Sequence, residues 1–314
     1  MLLVLRGLLL FVLLVWMPGA WLTTRWLKGS TLIERVGVGI GLGILFVGFL
    51  AFALAVSTFT ADNIGYLALF AVPVDLLFLR ELWLRARAEG WRAVLPRPSR
   101  REAAVLGLAA AIAAAYALRY HREFFSYSCL NRDTARLLGL TVGIFDWSLS
   151  IFEPSETLLA NTILISPFPM LFGFLGFRLS LATYTGLIAI LAYLLSVRLT
   201  SRHWVGILTM LFLVTTPAYL VNYIMDPNIL TFFTTMLFVY LTLREDTSPA
   251  AIALAGSLMF GSQHLLLLCL AVPLLRPETR RWRFITRYIL WLIPFCSLWF
   301  AHHLLAFGNP FFTE

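Results

Sequence analysis

The amino-acid sequence predicts an all-α polytopic membrane protein with about ten transmembrane helices. Hydrophobic residues make up 60% of the 314 positions and charged residues only 13%, whereas soluble domains contain roughly 25% charged residues. Apolar runs of about 20 residues, the length that crosses a bilayer, recur along nearly the whole chain. Helices satisfy their backbone hydrogen bonds within each segment, so long runs of this kind favour a helical bundle over a β-barrel.

Basic residues give the predicted spans their orientation. The net charge is +8, but the arginines collect in short loops between apolar runs, which indicates membrane orientation rather than a nucleic-acid groove. The richest loop, "RARAEGWRAVLPRPSRREA", follows the third run, and we place it in the cytoplasm. The three cysteines show no CxxC spacing, so they indicate neither a zinc site nor a disulfide framework.

Three spans precede this arginine-rich loop. We interpret the N-terminal run "GLLLFVLLVWMPGAW" as a retained helix, because its removal as a signal peptide would invert the next two spans and turn the loop outward. Residues 36–58 and 63–83 form a hairpin around the short turn "TADN", which has no basic residue. Asp75 lies inside the third span, and its simplest partner is Arg80.

A long outer segment, residues 121–176, follows the span at 103–119. It mixes charged and aromatic residues with short apolar stretches, which is typical of amphipathic helices lying along the membrane surface. Within it, Asp133 lies between Arg132 and Arg136. Arginines on the outer face run against the orientation bias. A structural explanation is that their side chains reach up to lipid phosphates.

The apolar runs after the outer segment predict the remaining spans. The first of them crosses inward and ends at a basic turn, and the following ones alternate in direction. These runs are "RLSLATYTGLIAILAYLLSVRLTSRHW" and residues 204–221, 228–243, 249–260, 264–275 and 284–303.

Three stretches carry a resemblance to a known family. The first is "NRDTARL" after an outward helix; the second is "SPFPMLFGFLGFRLSLATYTGLIAILAYLLSVRLTSRHWVGIL", with a proline pair, a glycine, an arginine that opens a helix and a basic turn; the third is "TTPAYLVNYIMDPNILTFF". From residue 103 onward, the chain resembles the conserved module of the GT-C glycosyltransferases. It is most similar to their protein mannosyltransferase and aminoarabinose transferase branch.

The resemblance implies a two-part organisation. Residues 1–102 would be an accessory group of about three helices with the basic loop, and residues 103–314 a GT-C-like module that includes the outer loop 121–176. Members of the family continue into further helices and commonly an outer soluble domain, so the resemblance implies either a chain truncated at its C-terminus or a reduced enzyme. It implies a bacterial or archaeal cytoplasmic membrane with the active face outward.

The implied activity is transfer of a sugar from a polyprenyl-phosphate-linked donor to an acceptor. The expected partners are membrane lipid and this donor, with no nucleic acid, and the sugar and the acceptor stay open. Whether a divalent metal ion takes part also stays open; Asp133 and Asp226 are the carboxylates that would bind one.

The resemblance makes Asp133 the general base that takes a proton from the acceptor. A carboxylate is a competent base at neutral pH when it lies within hydrogen-bond reach of the attacking group. Arg132 and Arg136 lie four residues apart, on one face of a helix, where they could neutralise the leaving polyprenyl phosphate. The structural alternative is a surface ion pair between Asp133 and Arg136.

Two further carboxylates match acidic positions of the family. Asp226 lies at an outward bend, although "MDPN" is also a helix start with Asp as N-cap and Pro as the first helical residue. Glu156, in "EPSE", is the better placed of two outer-loop glutamates to face the donor sugar or a metal. A solvated turn is the alternative for Glu156.

Arg178 and His264 are the remaining candidates for phosphate binding. Arg178 opens an inward-going helix, where the family also has arginine, and it either anchors that helix or contacts phosphate. At the position of His264 the family often has a lysine. A histidine can donate to phosphate, but its charge depends on pH, and a structural role at a span end is the alternative.

The competing class is a non-catalytic multi-pass membrane protein, such as a transporter, a lipid-handling protein or a scaffold subunit. This class predicts polar residues buried within the spans. The acidic and basic residues of this sequence cluster instead at the outer interface, and few lie in the middle of the predicted spans.

Overall fold

A computed structural model describes residues 2–27, 29–56, 63–90, 98–119, 167–172, 175–216 and 228–244, with single positions between 282 and 308. The described residues are almost entirely helical, and none of them lies in a β-strand. Four helical segments in this part of the chain are long and apolar enough to cross a membrane. They are Val4–Trp26, Leu32–Leu50, Arg100–Leu118 and Leu179–Thr200. The protein is therefore an integral membrane protein with a helical fold.

Nine α-helices can be followed in chain order within the described residues. They are α1 (Leu2–Phe11), α2 (Met17–Trp26), α3 (Leu32–Val56), α4 (Asn63–Glu89), α5 (Arg100–Arg119), α6 (Pro167–Phe172), α7 (Leu175–Thr200), α8 (His203–Thr215) and α9 (Asn228–Leu243).

Several of these helices have nearly the bounds predicted from the sequence, but only four segments of the described residues are long and apolar enough to be spans, whereas the sequence predicts about ten for the whole chain. Helix α9 has the predicted boundaries, and α3, α5 and α7 begin and end within a few residues of theirs. Helix α4 continues six residues beyond its predicted end, to Glu89. The predicted spans at 249–260 and 264–275 lie outside the described residues. The last, 284–303, contains only single described positions, which are helical.

A π-helical turn, Val12–Trp16, joins α1 to α2. The backbone N–H of Met17 donates to the carbonyl of Val12, a bond that spans five residues instead of four. Pro18 follows, and its ring nitrogen has no hydrogen to donate to the preceding turn. The N-terminal segment is therefore one long helix with an irregular turn near its middle, and such turns often mark functional sites.

Helix α3 packs through glycines on two of its faces. A Cβ atom added to Gly43 would lie 2.0 Å from the carbonyl oxygen of Val15, and one added to Gly19 of α2 would lie 1.9 Å from that of Gly39. On another face, Gly37 and Gly41 leave room for side chains of α7 and α9. Lipid supplies little hydrophobic drive for helices to associate, so close backbone approach of this kind, which increases van der Waals contact, stabilises the bundle.

Helix α7 lies at the centre of the described bundle and contacts α3, α5, α6, α8 and α9. Tyr184 and Leu191 are completely buried within it. The Tyr184 ring meets the ring of Phe233 from α9 edge to face at 5.1 Å, and such a pair contributes about 0.5–1.5 kcal/mol beyond its buried area.

Contacts between helix ends fix the relative directions of the helices. Glu102 near the start of α5 accepts a hydrogen bond from Leu32 at the start of α3, and Arg198 near the end of α7 donates to the Leu243 carbonyl at the end of α9. At the opposite end of the bundle, the Tyr116 hydroxyl donates to the Val214 carbonyl. We call the end where Arg25, Arg198 and Arg244 lie the basic end. The alternating directions agree with those inferred from the loop charges.

Candidate functional site

The outer-face site predicted from the sequence falls almost wholly outside the described residues. This applies to Asp133, Arg132, Arg136, Glu156, Asp226 and His264. Arg178 is the fourth residue of α7, so it lies in the first turn of that helix, and its side chain is not among those described. The described residues contain no group of three or more His, Cys, Asp or Glu side chains arranged to hold a metal ion.

A buried polar cluster lies at the basic end of the bundle, centred on Glu34. Thr31 and Glu34 form a capping box at the start of α3: the Thr31 N–H donates to Glu34 Oε2 at 2.6 Å, and the Glu34 N–H donates to the Thr31 hydroxyl at 3.3 Å. These bonds satisfy backbone donors that the first turn of a helix leaves free. The local sequence therefore sets the position of the carboxylate.

The other oxygen of Glu34 binds α9. The Tyr240 hydroxyl donates to Glu34 Oε1, and the Arg244 guanidinium forms an ion pair with the same oxygen. The exposed fraction is 7% for the Glu34 side chain and 13% for that of Arg244. A buried carboxylate is tolerated when it is paired and hydrogen-bonded, and this one has both kinds of partner. We call Thr31, Glu34, Tyr240 and Arg244 the Glu34 cluster.

A second capping box lies beside the Glu34 cluster, at the start of α5. Ser99 and Glu102 exchange bonds as Thr31 and Glu34 do, with the Ser99 N–H donating to Glu102 Oε2 at 3.0 Å. Glu102 Oε1 accepts the backbone N–H of Leu32 at 2.9 Å, from the first turn of α3. Each glutamate thus caps its own helix with one oxygen and binds a neighbouring helix with the other.

Two more polar contacts lie at the basic end. The Tyr193 hydroxyl and His203 Nδ1 are 2.9 Å apart and join α7 to α8. The Arg25 guanidinium at the end of α2 pairs with the carboxylate of Glu81 on α4. The polar contacts at this end therefore involve seven of the nine described helices. They include most of the described charged side chains that are not exposed.

Asp75 departs from its predicted pairing with Arg80. It is 5% exposed, and neither carboxylate oxygen has a hydrogen-bond partner. Arg80 is exposed. Residues five apart on an α-helix point roughly 140° away from each other, since the helix has 3.6 residues per turn, so the predicted ion pair was wrong.

Sequence reasoning missed the Glu34 cluster, although the Thr31–Glu34 capping box within it has a clear local signal. The patterns "TLIE" and "SRRE" are each a Thr or Ser followed three residues later by Glu, which indicates a capping box. The pairing of Glu34 with Tyr240 spans 206 residues of chain, and no local pattern predicts it.

No family model, curated protein or solved structure matches this chain.

Proposed function

We propose that this protein is an integral-membrane glycosyltransferase of the GT-C type, which moves a sugar from a polyprenyl-phosphate-linked donor to an acceptor on the outer face of the membrane. Asp133 is the general base, and Arg132, Arg136 and Arg178 bind the phosphate of the donor. Glu156 faces the donor sugar or a metal ion, and Asp226 is the second acidic residue of the substrate site. His264 takes the place of the phosphate-binding lysine of the family.

The observation that carries this proposal is the order of helix boundaries from α6 to α8. A short helix begins at the proline pair of "SPFP", a new helix places Arg178 in its first turn, and that helix ends at a basic turn containing Arg198 and Arg202. The same order of features underlies the resemblance to the GT-C module. The first turn of α7 lies at the end of the bundle opposite the basic end, which is where an outward-facing phosphate site needs it.

The chemistry requires a base and a cationic surface. The acceptor oxygen attacks the anomeric carbon, the bond from that carbon to the phosphate oxygen breaks, and the acceptor proton passes to the Asp133 carboxylate. The leaving polyprenyl phosphate keeps its negative charge, which arginine side chains stabilise through paired hydrogen bonds. Removing a general base of this kind lowers rates typically 10²–10⁴-fold.

Transfer of labelled sugar from a polyprenyl-phospho-sugar by the purified full chain tests the proposal. We expect Asp133→Asn to lower the transfer rate by about 10²-fold or more, and Arg136→Gln to weaken donor binding. Glu89→Gln is the matched control, since Glu89 is exposed at the last turn of α4 and should leave the rate unchanged. Equal rates for Asp133→Asn and the wild type would remove Asp133 from the role of base, and an inactive wild type with several donors would remove the enzyme class.

One observation favours the competing class of non-catalytic membrane proteins. The carboxylate of Asp75 is buried near the middle of α4, a helix predicted from the sequence to span the membrane, and it has no hydrogen-bond partner. Ionisable groups buried within membrane spans commonly mark transport or proton pathways. This second candidate predicts that the purified chain binds lipid or moves an ion without any sugar transfer. The transfer assay above separates the two classes.

A further inference from the structure

Helix α4 carries a carboxylate in its middle. Asp75 is the thirteenth of its 27 residues, so it lies about 20 Å from either end of a helix about 40 Å long. Its side chain is buried, whereas Leu76, Leu77 and Leu79 on neighbouring faces are exposed. Asp75 therefore points away from the surface that would meet lipid.

The buried face of α4 packs against α2 and the π-helical turn. Phe78, on the same face as Asp75, belongs to a small apolar cluster with Met17 and Ala20. The Arg25–Glu81 ion pair shows which residues of α2 and α4 lie at the same height along the bundle. Asp75 is six residues before Glu81, and Gly19 is six residues before Arg25, so Asp75 is about level with Gly19 and Pro18, just after the π-helical turn.

This interface contains a second polar side chain without a hydrogen-bond partner. Trp21 Nε1 is buried and makes no hydrogen bond to any described residue, although the face of its ring lies under the Arg25 guanidinium. The interface therefore contains the Asp75 carboxylate without a hydrogen-bond donor, the Trp21 N–H without an acceptor, and the π-helical turn. Buried polar groups without partners each cost about 1–3 kcal/mol, so their presence together needs an explanation.

The charged groups on the helices packed against α4 are already engaged elsewhere. On α2, Arg25 pairs with Glu81. On α3, Glu34 pairs with Arg244, and Arg35 donates to the Ser30 hydroxyl at 3.1 Å. The π-helical turn has no titratable residue. On α4 itself, Arg80 is exposed on a different face, and Arg85 lies nearly three turns beyond Asp75 towards the basic end. None of these cations hydrogen-bonds to Asp75.

We propose that Asp75 is a proton-binding site within the membrane, which holds its proton while the α2–α4 interface is closed and exchanges it when that interface opens. An ionised carboxylate in an apolar interior is far more costly than the neutral acid, and the neutral acid needs no counter-ion. The π-helical turn and Pro18 weaken the hydrogen-bond ladder of the facing helix, so that helix can bend at the level of the carboxyl group. We take the ligand to be a proton rather than a metal cation, because Asp75 belongs to no group of three or more described His, Cys, Asp or Glu side chains that could hold a metal ion.

Reaction with dicyclohexylcarbodiimide tests the site directly. This apolar reagent reacts with protonated carboxyl groups in membranes: the carboxyl oxygen bonds to the central carbon, the acid proton passes to a nitrogen, and rearrangement gives a stable acylurea without a leaving group. We expect mass spectrometry of the full-length protein in lipid nanodiscs to locate the adduct on Asp75. Its yield should fall as the pH rises and should disappear in Asp75→Asn.

Glu89 provides the control within the same helix. It is exposed, so a water-soluble carbodiimide with a hydrophilic amine should modify Glu89 and leave Asp75 unmodified. Absence of the Asp75 adduct, or a yield independent of pH, would overturn the proposal. Protection by Na⁺ at constant pH would also overturn it, in favour of a metal cation. The wild-type adduct map decides the question even if Asp75→Asn fails to fold, and it does not depend on sugar transfer.

Discussion

Glu34 shows how a charged residue can be buried at the end of a membrane bundle. One of its oxygens accepts a hydrogen bond in the capping box of α3. The other binds Tyr240 of α9 and Arg244, the residue that directly follows α9. Both oxygens are satisfied, so the desolvation cost of the charge is offset locally. The stabilisation depends on both helices being in place, and it therefore couples the ends of α3 and α9.

Replacing Arg244 by Met should destabilise the protein strongly. The Met side chain keeps an unbranched apolar stem but leaves the Glu34 charge without its cation, and breaking a buried pair from one side costs about 3–5 kcal/mol. The measurement is the unfolding free energy of the purified protein in detergent. The matched control is Arg202→Met, because Arg202 is exposed at the same end of the bundle and should change stability by less than about 0.5 kcal/mol.

A double variant makes this test specific for the ion pair. Glu34→Gln combined with Arg244→Met removes both charges, and Gln can still accept the Tyr240 hydrogen bond. We expect the double variant to be more stable than Arg244→Met alone, since no unpaired buried charge is left. Additive losses in the two single variants would show that the charges act independently.

At the scale of single residues, the sequence predicts local contacts and misses distant ones. The two capping boxes follow from residues three apart, and the charges at the basic turns follow from the orientation rule. The partners of Glu34 depend on packing between helices that are far apart in the chain. The Asp75–Arg80 prediction failed because it used closeness in sequence and ignored the rotation of the helix between them.

At the scale of helices, hydrophobic run length predicts well where a helix lies but predicts its ends less well. Helix α4 continues six residues beyond its predicted end, and α8 ends at Thr215 instead of 221. Helices α3, α4, α5, α7, α8 and α9 each correspond to one predicted span, because each run is long, apolar and bounded by polar or turn residues. Run length does not reveal which face of a helix meets which neighbour. In α3, the glycines at 37, 39, 41 and 43 divide between two packing faces, and that division comes from the tertiary structure.

The close contact of α3 with the N-terminal helix gives a test at this scale. In Gly43→Ala, the new methyl group would lie 2.0 Å from the Val15 carbonyl oxygen, so the helices must move apart. We expect a loss of about 1–3 kcal/mol, as for other overpacked sites, measured as a lower unfolding midpoint in detergent.

Gly107→Ala is the control, because a Cβ atom at Gly107 in α5 meets nothing within 4 Å. It should be neutral or stabilising by up to about 1 kcal/mol, since Ala favours helix more than Gly. Equal midpoints for the two variants would contradict the close approach of α3 to Val15.

At the scale of the whole molecule, the arginines at the basic end and the apolar outer faces of the helices are consistent with the same orientation in a bilayer. Exposed leucines and phenylalanines on α4 and α8 lie on their outward faces, where lipid would cover them. Arginines gather at the basic end, which the orientation rule places in the cytoplasm. The opposite end, with Tyr116 and Val214, would then face outward together with the predicted site around Asp133.

Single cysteines at the two ends test this orientation. In a background with Cys129, Cys269 and Cys296 replaced by Ser, we expect Thr215→Cys, exposed at the end of α8, to react with a membrane-impermeant maleimide on intact cells. Arg87→Cys, exposed near the end of α4, should react only after the cells are opened.

The comparison of intact and opened cells contains its own control, since both variants should react fully once the membrane is permeable. The reverse pattern, with Arg87→Cys accessible from outside, would place the basic end outside. The proposed phosphate site at the start of α7 would then face the cytoplasm, because α7 begins at the end opposite the basic end. An outward-facing transferase would be excluded by that result, whereas the proton-binding site in the middle of α4 is compatible with either orientation.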